Sequence, residues 1–190
     1  MKKVCVYCSS SNTLDKAYYK DAELLGELLA KNGFGIVYGG SCVGTMDVVA
    51  NTAKQNGSKI IGVMPEKLCS FGVASDYCDE FYKTPDMRSR KQKLDDVSDA
   101  VVAMAGGFGT LEEVSEMIVQ KQLGYNSKPI ILLNTNGFYD NLIAFFNTII
   151  QNNFAKENAR ELYFIASTPN DAIEYLNTYS PKEIELASKF

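Results

Sequence analysis

The sequence predicts an α/β protein: one Rossmann-like, doubly wound domain over residues 1–190, with a parallel sheet covered by helices on both faces. Three observations predict it. Short β-branched runs alternate with longer segments of helical period along the whole chain. Val101-Val102-Ala103-Met104 and Ile130-Ile131-Leu132-Leu133 are continuous apolar runs, as strands buried on both faces must be. The 190 residues, 46% of them hydrophobic, suffice for one core, and no repeat, low-complexity tract or linker divides them.

The elements follow in order. Lys3–Cys8 reads as the first strand. A helix over 14–31 carries Ala17, Leu24, Leu25, Leu28 and Leu29 on one face and ends at Asn32-Gly33. Gly35–Tyr38 is the second strand, followed by Gly39-Gly40 and a helix from Thr45 to Gln55. Lys59–Met64 is the third strand. Residues 65–84 are irregular, with a short strand at Glu80–Lys83. Then come a helix over Asp86–Val97, a strand over Ala100–Met104, a helix over Thr110–Leu123, a strand over Pro129–Leu133 and a helix over 139–152. A short strand at Tyr163–Ile165 and a helix over Pro169–Asn177 follow. Ser180-Pro181-Lys182-Glu183 has the cap, first-turn proline and acidic third position that open a last helix.

Composition excludes several kinds of function. The net charge is −4 and the basic residues are scattered, so there is no nucleic-acid footprint. No apolar run approaches membrane-spanning length, and Met1-Lys2-Lys3-Val4 runs directly into a strand, so a cytoplasmic location with no membrane partner is expected. The chain has no histidine, which removes histidine-based zinc sites, Ser-His-Asp triads and histidine general bases together. Five cysteines, an odd number, do not suggest a disulfide framework, and the C-x-x-C of Cys5 and Cys8 lies within a strand rather than opening a helix.

In a parallel sheet, ligands sit at the carboxyl ends of the strands. Three turns fall on that edge: Cys8-Ser9-Ser10-Ser11-Asn12, Tyr38-Gly39-Gly40-Ser41-Cys42-Val43-Gly44-Thr45-Met46, and Ala105-Gly106-Gly107-Phe108-Gly109-Thr110. Glycines let backbone N–H groups approach an anion, and a helix N-terminus adds free donors and a favourable dipole. Phosphate or nucleotide binding is the reading, against tight turns that serve packing alone. Neither a Walker A lysine nor a G-x-G-x-x-G after the first strand is present, which disfavours ATPases and NAD-dependent dehydrogenases.

Two charged residues stand out. Thr110-Leu111-Glu112-Glu113 matches a T-x-x-E capping box, in which Glu113 would only hold the cap's backbone N–H. Alternatively, Glu113 lies in the first turn, off the stripe of Leu111, Val114, Met117 and Ile118, and faces the phosphate edge. The helix over Asp86–Val97 has an apolar stripe at Met87, Leu94 and Val97, with Arg90 and Lys91 in the turn missing from it. Charges on such a stripe either snorkel, pair locally or meet a ligand. Arg90 and Glu113 then begin neighbouring helices on one side of the sheet.

These motifs resemble the Lonely Guy family of cytokinin-activating phosphoribohydrolases, members of which were once labelled lysine decarboxylases. Gly106-Gly107-Phe108-Gly109-Thr110-Leu111-Glu112-Glu113 is similar to its P-G-G-x-G-T-x-x-E signature, and Met87-Arg88-Ser89-Arg90-Lys91 to its M-H-x-R-K. The first two turns, Gln122-Leu123-Gly124 and Lys128-Pro129 also have counterparts. Ala105 replaces the signature proline, Arg88 the histidine and Asp47 a frequent glycine, while Val119 and Gln120 stand where plant-type members carry Thr and Trp.

The resemblance implies hydrolysis of a nucleoside 5′-monophosphate, AMP-like or a cytokinin riboside monophosphate, to free base and ribose 5-phosphate. Arg90 and Glu113 would be the catalytic pair. The expected substrate-binding set is Ser9, Ser10, Gly39, Gly40, Met87, Lys91, Gly106, Gly107, Phe108, Gly109, Thr110, Leu111 and Glu112. It implies neither metal nor organic cofactor, and a homodimer. Phe71, Tyr77, Phe81 and Tyr82 before the Arg90 helix and Tyr125 after the Glu113 helix, read as outside the regular elements, are candidates for the dimer contact. The alternative from another class is a non-catalytic nucleotide or molybdenum-cofactor carrier. A pyridoxal-phosphate decarboxylase would need a Schiff-base lysine, and nothing in the sequence singles one out.

Overall fold

The computed structural model of the chain describes residues 1–181; the expected last helix lies outside the described residues from 182 onward. Seven parallel strands form one sheet: β1 (Lys3–Tyr7), β2 (Gly35–Tyr38), β3 (Ile60–Pro65), β4 (Glu80–Thr84), β5 (Ala100–Ala103), β6 (Ile130–Leu133) and β7 (Phe164–Ala166). Their order is β4-β3-β2-β1-β5-β6-β7, and every pairing is parallel. The chain winds outward from β1 to β4, then crosses back so that β5 lies on the other side of β1. That reversal opens a crevice between the ends of β1 and β5, the place where doubly wound sheets bind ligands.

The helices are α1 (Lys16–Lys31), α2 (Gly44–Gln55), the single turn α3 (Glu66–Cys69), α4 (Met87–Asp96), α5 (Phe108–Gln122), α6 (Asp140–Gln151) and α7 (Pro169–Thr178). Period-two alternation divides each central strand between two cores. Val4 and Val6 of β1 pack with Leu25 and Leu29 of α1, Val49 of α2 and Leu176 of α7. Cys5 and Tyr7 face the other way, toward Leu94 of α4, Val114 and Met117 of α5, and Leu142 of α6. Each such side chain contributes roughly 1.5–3 kcal/mol by leaving water.

Caps fix where the helices begin. Asp15 accepts a hydrogen bond from the Ala17 N–H, and Thr168 with Asp171 forms a reciprocal capping box on α7. The irregular stretch before β4 folds back onto the Gly39–Cys42 turn. Ser75 N–H donates to the Gly40 carbonyl at 2.9 Å, Cys42 N–H donates to the Val73 carbonyl at 2.9 Å, and Ser41 bridges Ala74. Cys5 and Cys8 are buried, and burial pushes the Cys8 thiol up to about 12, so this C-x-x-C offers no thiolate. Among the described residues no helix is long and apolar enough to cross a membrane, and no cluster of three or more acidic or cysteine side chains is placed to hold a metal.

Candidate active site

A pocket of about 380 Å³ opens at the crevice between β1 and β5. Val6, Tyr7 and the turn Cys8–Ser11 form one wall, Gly39 and Met46 a second, and Gly107–Thr110 with Glu113 a third; Arg90 closes it from α4. The walls are tied to one another. Ser9 N–H donates to Thr45 Oγ1 at 3.0 Å, and Gly44 N–H donates to Asn12 Oδ1 at 2.8 Å. Gly44 has φ +63°, and a Cβ there would stand 2.4 Å from the Ser9 carbonyl oxygen, so only glycine lets the first two turns meet. Thr110 Oγ1 donates to the Cys8 carbonyl at 3.2 Å and joins the third wall to the first.

The structure brings Arg90 and Glu113 into direct contact. Arg90 Nη1 donates to Glu113 Oε1 at 2.6 Å, and its Nε donates to the Val63 carbonyl of β3 at 3.2 Å. The two side chains are 11% and 8% exposed, so this is an ion pair sheltered from water. Burial pushes the Glu113 carboxyl up from the ordinary carboxylate value, against the pull of the Arg90 guanidinium. Among the described residues Glu113 Oε2 has no protein partner, so one carboxylate oxygen holds the arginine and the other remains available.

The route to this pairing differs from the sequence reading. α5 begins at Phe108, with Gly107 as a cap that makes no side-chain hydrogen bond. Thr110 is therefore inside the helix and the capping box does not form. Val114 and Met117 of the expected stripe are buried, but Leu111, expected to be buried with them, is 38% exposed, whereas Glu113 is buried. On α4, Leu94 is the buried residue and Met87 is 42% exposed, so the apolar stripe expected there does not extend to the first turn.

Of the expected binding residues, Ser9, Ser10, Gly39, Gly107, Phe108, Gly109 and Thr110 line the pocket with the ion pair. Gly40, Met87, Lys91, Gly106, Leu111 and Glu112 do not. Lys91 Nζ bonds Glu112 Oε1 and Glu116 Oε2, both at 2.8 Å, on the outer side of α4 and α5. A Cβ on Gly106 would meet Thr110 Oγ1 at 2.1 Å, and one on Gly40 would meet the Phe81 ring at 2.9 Å; both glycines make room for neighbouring side chains. Gly106 and Leu111 instead flank a shallower groove with Phe108, Phe138, Tyr139 and Leu142. Val119 is exposed, and neither it nor Gln120 lines the pocket.

Val6, Tyr7, Cys8, Ser11 and Met46 line the pocket but were not expected to bind ligand. Ser11 and Met46 lie within the turns singled out from the sequence; Tyr7 has the pattern of an ordinary core residue and carries no local signal. Of the aromatic residues considered for subunit contact, Phe71 and Tyr125 are exposed. The others serve this chain. Tyr77 donates to Asp47 Oδ1 at 2.9 Å, Phe81 packs beneath Gly40 and Gly62, and Tyr82 lies under Lys93.

Fold and site together define a Rossmann-like α/β protein with a glycine-rich helix N-terminus and a buried arginine–glutamate pair at its strand reversal. The family model described as "Possible lysine decarboxylase" matches residues 46–176. A probable cytokinin riboside 5′-monophosphate phosphoribohydrolase of Oryza sativa is 37% identical over 99% of this chain and 77% of the relative. A cytokinin riboside 5′-monophosphate phosphoribohydrolase of Arabidopsis thaliana is 35% identical over 98% of this chain and 87% of its own length. The chain belongs to this family, the Lonely Guy phosphoribohydrolases. Among solved structures, the molybdenum cofactor binding protein of Rippkaea orientalis superposes with a TM-score of 0.72 at 27% identity, covering 94% of this chain and 97% of that one. The molybdenum cofactor carrier protein of Chlamydomonas reinhardtii shares the fold at 24% identity, with a TM-score of 0.72 over 93% and 96% of the two chains.

Proposed function

We propose that this chain is one nucleotide-binding hydrolase domain that cleaves the N-glycosidic bond of a nucleoside 5′-monophosphate, releasing free base and ribose 5-phosphate. The observation that carries the reading is the sheltered Arg90–Glu113 pair beside the open N-terminus of α5. The 5′-phosphate is received by the backbone N–H groups of Gly107–Thr110 and by the Ser9-Ser10 turn opposite. As the bond to the base breaks, positive charge develops on the ribose. Glu113 stabilises that charge through Oε2, orients the water that adds to the anomeric carbon and takes its proton, while the base leaves with the bonding electrons on its nitrogen and is protonated from solvent. Arg90 holds Glu113 in place and clamps a ribose or phosphate oxygen.

AMP and cytokinin riboside monophosphates are both substrates of the expected class. The family relatives support the second, and the pocket's phosphate-facing chemistry is common to both. A carrier is the competing reading, because the fold is shared with molybdenum-cofactor proteins. Incubation with a panel of nucleoside monophosphates, with detection of free base, separates the two. Base release from AMP but much less from adenosine is expected, since the phosphate's binding energy orients the sugar. Glu113→Gln is expected to lower turnover by roughly 10²–10³-fold with the fold intact. A ligand retained through purification with no base released would favour the carrier.

We also propose a cytoplasmic homodimer with no nucleic-acid partner. Exposed Phe71 and Tyr125 support a subunit contact. Sedimentation equilibrium is expected to give twice the chain mass, with Tyr125→Asp weakening association; a single 21.0 kDa species at all concentrations would remove the dimer.

A further inference from the structure

Lys121 lies in the last turn of α5, eight residues and therefore about 12 Å along the helix from Glu113. It is only 3% exposed, and its Nζ has no hydrogen-bond partner among the described residues. The other sheltered lysines near these helices are paired: Lys91 with Glu112 and Glu116, Lys128 with Asp95. A buried ammonium without an acceptor is unusual enough to require an explanation.

The Lys121 side chain lines a cavity of about 360 Å³ with Glu161, Tyr163, Tyr175, Thr178, Tyr179 and Ser180, its Nζ set just behind the wall. This cavity shares no lining residue with the Arg90–Glu113 pocket. Its walls are aromatic and braced. Tyr175 stacks on Phe164 with ring centroids 4.2 Å apart, Tyr163 packs on Phe146, and the Tyr179 hydroxyl donates to the Ser127 carbonyl at 2.7 Å. Lys121 Nζ stands 5.1 Å over the Tyr179 ring, whose face only partly replaces the lost water.

The titratable groups facing the amine do not neutralise it. Glu161 makes no hydrogen bond to Nζ, and burial keeps the Tyr163 and Tyr179 hydroxyls protonated by raising both. Burial alone lowers the Lys121 amine to about 8. At pH 7 it is therefore still protonated in roughly nine molecules of ten. Among the described residues, Glu161 is the one carboxylate in the cavity lining and it does not bond Nζ, so the charged amine beside these aromatic walls has no bonded anion.

We propose that this cavity is a second ligand site that takes a small aromatic carboxylate, its carboxylate on Lys121 Nζ and its ring against the tyrosine faces. The size suits such a molecule, since ligand pockets begin at about 300 Å³. One ammonium matches one carboxylate, and the flat walls favour a planar body.

Benzoate titrated into the full-length protein, followed by NMR of selectively ¹⁵N-labelled lysine, tests the proposal. Saturable binding that raises the Lys121 pKa above 8 is expected, because the bound carboxylate favours the charged amine. Affinity should fall as pH rises through 8, where the amine loses its proton. Lys121→Met keeps the side-chain length and removes the buried charge, and should weaken benzoate binding by roughly tenfold or more while base release from AMP is unchanged. If that variant fails to fold, the pH dependence and the lysine resonance of the unaltered protein still decide the matter. No saturable binding, pH-independent binding or unchanged affinity in Lys121→Met would overturn the site. Inorganic phosphate binding Lys121 as tightly as benzoate would overturn the carboxylate assignment.

Discussion

The turns Gly39-Gly40 and Gly106–Gly109 both follow strands that end on the same sheet edge, and both lead toward a helix. Their surroundings differ. A methyl group on Gly39 would stand 2.5 Å from Arg90 Nη2 and 2.9 Å from Met46 Sδ, and one on Gly40 would press on the Phe81 ring. Around Gly107 and Gly109 such a methyl would meet nothing within 4 Å. In the first turn the missing side chains are replaced by protein; in the second, Gly106 makes room for Thr110 while Gly107 and Gly109 leave space at a helix N-terminus. A glycine-rich turn thus has two separable meanings, room for a neighbour and room for a ligand, and only the tertiary structure distinguishes them.

Three substitutions sharpen or break this contrast. Gly39→Ala should have the largest effect. Its Cβ meets the ends of flexible side chains, so the fold survives while the guanidinium moves by an ångström or so. A loss of roughly 10²-fold in kcat/KM for AMP is expected, with a thermal midpoint near that of the unaltered protein. Unchanged kinetics would mean that the position of Arg90 is not critical. Gly109→Ala should be milder and opposite in character. The first turn of α5 gains a better helix former, so stability holds or rises, but the methyl intrudes where phosphate would sit, and nucleotide affinity measured calorimetrically should drop roughly tenfold. Equal affinity would move the phosphate elsewhere. Gly40→Ala should act on stability alone. With φ at +71° and Phe81 at 2.9 Å, urea unfolding is expected to show a loss of about 1–2 kcal/mol, with modest kinetic change.

Much of this contrast could not be read from the sequence. Strand and helix alternation was legible, because buried parallel strands and amphipathic helices impose different periods on the same chain. The nearness of Arg90 and Glu113 was legible for a related reason: helices that leave the same edge of a sheet begin on the same side of it. The start of α5 was not. The T-x-x-E pattern pointed to Thr110 as a cap, but its hydroxyl is drawn away to the Cys8 carbonyl, 102 residues distant in sequence. That long-range bond outweighs the local motif, and Glu113 is left free of capping to pair with Arg90. Tyr7 was overlooked because a core-type side chain at a strand end looks the same whether it faces core or cleft, and Met46 because it reads as an ordinary apolar residue in the first turn of α2.

The bond from Arg90 Nε to the Val63 carbonyl has a further consequence for binding. Arginine has four side-chain torsions, and fixing such a side chain on association costs up to about 2 kcal/mol of rotamer entropy. Here the guanidinium is already fastened at two points, to the β3 backbone and to Glu113, and is wedged against Gly39. Folding has therefore removed that freedom before any nucleotide arrives, and the entropy lost on binding falls on the ligand and the solvent instead of on this side chain.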